Sequence, residues 1–108
     1  MLSDKQQQSL MINWSHRESI QCKAVVKLID PLSSFECYIL AQNPHNPDEI
    51  YCLINAFTLE TGPFSLEDVL GFYNHDGEGL VQDTEYRPRA YWEIYKKLRE
   101  TKDDSGKD

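Results

Sequence analysis

From Leu28 to Tyr86 this chain has no lysine and no arginine. An ordinary surface intersperses both signs and cancels its far field, so the absence excludes that pattern over more than half of the 108 residues. Eleven carboxylates stand in the same stretch: Asp30, Glu36, Asp48, Glu49, Glu60, Glu67, Asp68, Asp76, Glu78, Asp83 and Glu85. The flanking segments are mildly basic, and the whole carries a formal charge of −7. Such a field attracts a basic partner and opposes a phosphate backbone.

Long apolar runs are missing too. None exceeds five residues, the length of Cys37 to Ala41, against the roughly 20 a spanning helix needs. The start of the chain lacks a positive segment leading into an apolar stretch, so a cytoplasmic protein without a membrane anchor is expected. Cysteine is scarce. Cys22, Cys37 and Cys52 are odd in number and match neither a disulfide framework nor a zinc-ligand spacing, so they read as small buried hydrophobes.

What is present suits a small core: 40% apolar residues, with two Trp, four Phe and six Tyr. Residues 1–15 read as an arm, frayed or carrying a short helix capped by Ser3 and ending near Trp14. Cys22 to Ile29 reads as a strand stopped by Asp30-Pro31. Phe35 to Gln42 and Ile50 to Phe57 read as a hairpin around the turn-forming segment 43–49. Closed symmetrically about Asn46, it sets Phe35, Cys37 and Ile39 opposite Phe57, Asn55 and Leu53 as the better core face.

Ser65 is placed to cap a helix starting at Leu66, with Asp68 as capping-box acid and Phe64 and Val69 as a hydrophobic staple. Its apolar stripe is Leu66, Val69, Leu70 and Tyr73. Gly79 to Tyr86 reads as a short strand whose inward set is either Leu80, Gln82 and Thr84 or Val81, Asp83 and Glu85. After Pro88 a second helix carries the stripe Tyr91, Ile94, Tyr95 and Leu98 and ends near Thr101. The expectation is an α+β fold: a mainly antiparallel sheet of three to four strands with two helices on one face, a domain over residues 16–101, and a loose acidic tail over 102–108.

The order of features from Val26 to Tyr95 resembles a family of small domains of unknown function carried by bacterial plasmids and phages. The resemblance rests on Lys27-Leu28 with Pro31, Tyr38-Ile39-Leu40, the loop Asn43 to Glu49, Tyr51 to Asn55, Glu60 to Leu66, and Val81-Gln82-Asp83 before Pro88. The chain departs from the pattern at Pro63 and at Gln82. The resemblance implies an accessory protein of a mobile element and supplies no mechanism.

Three functional readings follow. The first is a non-enzymatic interaction protein, monomeric or homodimeric, without cofactor. Its acids Asp48, Glu49, Glu60, Glu67, Asp68, Asp76, Glu78, Asp83 and Glu85 bind, and thereby inhibit, a basic nucleic-acid-handling protein as a nucleic-acid mimic would. Tyr38, Tyr51 or Tyr73 serve as anchors where exposed. The second is a small enzyme or metal module using His45 or His75 with neighbouring acids, although neither loop has a known ligand grammar. The third is nucleic-acid binding through Arg87, Arg89, Trp92, Lys96, Lys97 and Arg99; Glu93, Glu100 and the acidic centre oppose it, so direct contact with nucleic acid is not expected.

Overall fold

The computed structural model describes residues 2–105, with side chains as far as Lys102. Ser3 caps α1 (Asp4–Asn13) through a complete capping box with Gln6, and a single 3-10 turn, Trp14–His16, follows. Of the two readings of this arm, frayed or a short helix capped by Ser3, the helix holds, and its Leu10 is fully buried.

Seven strands follow: β1 (Lys23–Ala24), β2 (Val26–Ile29), β3 (Glu36–Asn43), β4 (Asn46–Asn55), β5 (Leu59–Ser65), β6 (Val81–Gln82) and β7 (Arg89–Ala90); α2 (Leu66–Leu70) lies between β5 and β6, and α3 (Tyr91–Ser105) comes last. The fold is α+β, with one five-stranded antiparallel sheet in the order β5-β4-β3-β2-β6 and a two-stranded ribbon of β1 with β7.

The sheet has five strands where three to four were expected, and the described residues form three α-helices where two were expected. The sheet strand that was not foreseen, β5, has the sequence LETGPFS, with Gly62 and Pro63 inside it. Pro63 is tolerated because β5 is an edge, so its missing N–H leaves no ladder unpaired. It pairs with Tyr51 along a regular register from Glu49↔Ser65 to Asn55↔Leu59.

The helices also occupy both faces rather than one. Leu10 of α1 and Val69 of α2 join Val26, Leu28, Cys37, Ile39, Ile50 and Cys52 in one cluster. On the opposite face Ile94 of α3 packs with Tyr38, Leu40, Leu53, Cys22 and Ala24. The central strand β3 explains the arrangement, since Cys37 to Gln42 are all buried, as expected of a near-continuous apolar run covered on two sides.

The hairpin register is slipped by one residue from the symmetric expectation: Cys37 pairs with Ile54, Tyr38 with Leu53 and Ile39 with Cys52. The cause is the bulge between Ile39 and Ala41: Gln42 with Ile50 and Ala41 with Tyr51 keep the symmetric register, and the pairs beyond the bulge are shifted by one residue, while at the turn Asn43 pairs with Asn46 and leaves Pro44 and His45 as the connection. Cys37 and Ile39 therefore share their face with Ile54 and Cys52, because a one-residue slip exchanges every facing partner. Phe57, expected in the core, sits in the β4–β5 turn and is 100% exposed.

Three further boundaries moved. The strand over Cys22–Ile29 divides at Val25, whose N–H donates to the Ile39 carbonyl at 2.9 Å. α2 stops at Leu70, capped by Gly71, so Tyr73 leaves the expected stripe and is 64% exposed. α3 continues to Ser105 where a tail was expected from residue 102; the remainder of that tail, residues 106–108, lies outside the described residues. No helix among the described residues is long and apolar enough to cross a membrane.

Candidate functional site

The nine expected contact acids do not form one surface. Asp48 is occupied in the fold: its carboxylate accepts the Ser65 hydroxyl at 2.7 Å and the Glu67 N–H at 2.8 Å, while the Ser65 Oγ accepts the Asp68 N–H at 3.2 Å. Two oxygens thus satisfy two of the four orphan donors of α2. The Ser65 bond first, then the Glu67 N–H, pull the Asp48 carboxyl below its ordinary range. Glu49, half-buried, accepts from the Asn43 amide at 3.0 Å.

Asp83 and Glu85 lie on the other side of the sheet, in a cleft of about 350 Å³ between the sheet and α3 that Lys27, Glu36 and Tyr38 also line. Cations share this cleft. Lys27 is 2.9 Å from Glu36 and 3.5 Å from Asp83, and Arg87, Arg89 and Lys97 line the same space. The Asn55 amide donates to the second Glu36 oxygen at 2.8 Å.

Burial alone would lower the Lys27 ammonium. The Glu36 hydrogen bond, the Tyr38 hydroxyl and the Glu36 and Asp83 charges together outweigh it, so Lys27 is held above its ordinary value. Burial, followed by the Glu36 charge, pushes the Tyr38 hydroxyl up to about 12. Both groups stay protonated at neutral pH. The cleft therefore offers hydrogen-bond donors, and neither Lys27 nor Tyr38 is tuned as a base or nucleophile there.

Glu60, Glu67, Asp68, Asp76 and Glu78 remain, all exposed. Glu60 pairs with Ile54 across the β4–β5 ladder and so shares the face that α1 and α2 cover. Glu67 and Asp68 occupy the first turn of α2, and Asp76 and Glu78 lie in the loop after it. Among the described residues the one basic side chain within 4.0 Å of any of these five is the His75 imidazole, 3.6 Å from Asp76.

The residues of the metal reading are apart. His45 belongs to the β3–β4 turn at one end of the sheet, and His75 to the loop that Asn74 ties to Asp30 beyond the end of β2, at the other. No group of three or more His, Cys, Asp or Glu able to hold a metal is found among the described residues. All three cysteines are free and buried. Burial pushes the Cys22 thiol up, and a hydrogen bond with Cys37 followed by burial pushes Cys52 up. Of the proposed anchors, Tyr38 is buried, Tyr51 half-buried and Tyr73 exposed.

Of the residues named for nucleic-acid contact, Arg87 and Arg89 precede α3 and the others lie on it. Ile94 is the buried contact of that helix, and Trp92 is exposed. The Lys27 network was not foreseen from sequence. Its one available signal was Lys27 itself, a lone charge inside the β-branched run Val25 to Ile29.

Compared with protein-family models, with curated proteins and with solved structures, the chain matches none of them.

Proposed function

We propose that this is a small non-enzymatic interaction protein of mobile-element type that binds, and can thereby inhibit, a basic protein surface through Glu60, Glu67, Asp68, Asp76 and Glu78. One observation carries the reading: the acids divide into a set beside the cations of the α3 cleft and a set on the α2 side with no Lys or Arg within 4.0 Å among the described residues. Charges without a Lys or Arg beside them keep their far field and steer a basic surface toward them. Asp48, Glu49, Asp83 and Glu85 leave the contact pool, the first two because they serve the local fold and the last two because they border the cationic cleft.

The test is capture of a basic partner from the host of origin at low salt, repeated with Glu60, Glu67, Asp68, Asp76 and Glu78 changed to their amides. Binding should weaken by about tenfold or more between 50 and 300 mM salt, and similarly in the amide variant. Capture that is indifferent to both changes overturns the proposal.

A further inference from the structure

Five of the exposed large apolar side chains belong to one end of the sheet. Phe57 tips the β4–β5 turn, Leu32 lies in the β2–β3 turn, and Val81 begins β6 opposite Ile29. Phe72 and Tyr73 join them because the loop after α2 is tied to that end: the Phe72 ring stacks on Phe35 at 5.3 Å, and the Asn74 amide donates to Asp30 at 2.9 Å. Asp30 organises the end further, accepting the Leu32 N–H at 3.0 Å and the Ser33 hydroxyl at 2.8 Å. The other exposed large apolar residues, Ile12, Ile20 and Trp92, belong to α1, the following loop and α3.

This end is a row rather than a scatter. The turns and strand ends at β5-β4-β3-β2-β6 span four strand intervals, or about 19 Å at roughly 4.8 Å each. A helix of about 13 residues covers that length, and apolar side chains at i, i+3, i+4 and i+7 would meet the row. Charge selects the sign of such a helix. Glu60, Asp76 and Glu78 flank the row on the α2 side, and on the α3 side the Lys102 ammonium donates to the Ala56 carbonyl at 3.1 Å.

We infer that this end of the sheet is a docking strip for a basic amphipathic helix of a partner protein, with Phe57 and Tyr73 as its anchors. The inference rests on the proposed binding of a basic protein and adds where it docks and what shape the partner presents. Exposed aromatic groups flanked by charge complementary to the partner are the arrangement in which a few anchors dominate affinity.

The probe is a labelled 13-residue peptide of lysine and leucine with the leucines on one helical face, compared with a scramble of the same composition. The intact chain should bind the amphipathic peptide about tenfold or more tighter than the scramble. The double variant F57S/Y73S should bind both peptides like the scramble, with an unchanged melting temperature because both side chains are exposed. Equal, salt-sensitive binding of the two peptides, or a variant that keeps the preference, overturns the strip and leaves the acidic reading standing. No binding of either peptide at low salt overturns both. Self-association of the free chain that F57S/Y73S abolishes would assign the strip to a second copy and overturn the basic-helix occupant.

Discussion

Lys27 shows how one residue changes role between sequence and fold. Within a strand pattern it is a solitary charge; folded, it lies between Glu36 and Asp83, with the Tyr38 ring centroid 5.5 Å from its ammonium. Removing it leaves two half-buried carboxylates facing a space without their cation, and an orphaned group of this kind costs about 1–3 kcal/mol. Lys27→Met should therefore be less stable than the parent at pH 7 by roughly that amount. The gap should narrow at high salt, which screens the exposed part of the pairing. Thermal melts of both proteins at low and high salt measure it, and a gap independent of salt would remove the charge argument.

At the scale of elements, local chemistry was the most legible. The Ser65 cap was written in Phe64-Ser65-Leu66-Glu67-Asp68, and Ser65 does accept the Asp68 N–H. The second acceptor at this helix start is Asp48, which reaches α2 from β4 and takes the Glu67 N–H and the Ser65 hydroxyl. No local window contains both ends of that contact. Ser65→Ala should cost about 0.5–2 kcal/mol in denaturant unfolding, with the loss concentrated in hydrogen exchange of the α2 amides. An effect below about 0.3 kcal/mol would show that Asp48 alone holds the helix start. The strand β5 was illegible for a related reason: Gly62 and Pro63 forbid a central strand and permit an edge, and edge position is a property of the assembled sheet.

Across the whole molecule, two carboxylates tie distant segments together. Asp30 is 5% exposed and joins the β2–β3 turn to the loop after α2; the Asn74 bond first, then the Leu32 N–H and Ser33, hold its carboxyl below the ordinary value. Asp48 is likewise lowered. A carboxyl whose folded pKa is depressed contributes stability that is present above its unfolded value, near 4, and lost as pH falls through the folded value. The melting temperature should therefore decline steeply below about pH 4. In Asp30→Asn, less stable than the parent at pH 7, that decline should be shallower. Parallel acid titrations of the two proteins would reveal a mistaken assignment of Asp30.

The charge separation, the Ser3 and Ser65 caps, the apolar stripe of α3 and the burial of the cysteines were all determined by the sequence. Each depends on residue identity and short spacing, which act within a turn or two of chain. Tertiary structure decided which of the eleven central acids are neutralised. It also decided that α3 covers the face opposite α1 and α2, and that Phe57, Tyr73 and Leu32 lie at one end of the sheet. Those outcomes depend on register and strand order. A single-residue bulge between Ile39 and Ala41 and a proline-tolerant edge set them through contacts between segments far apart in the chain, which no local pattern encodes.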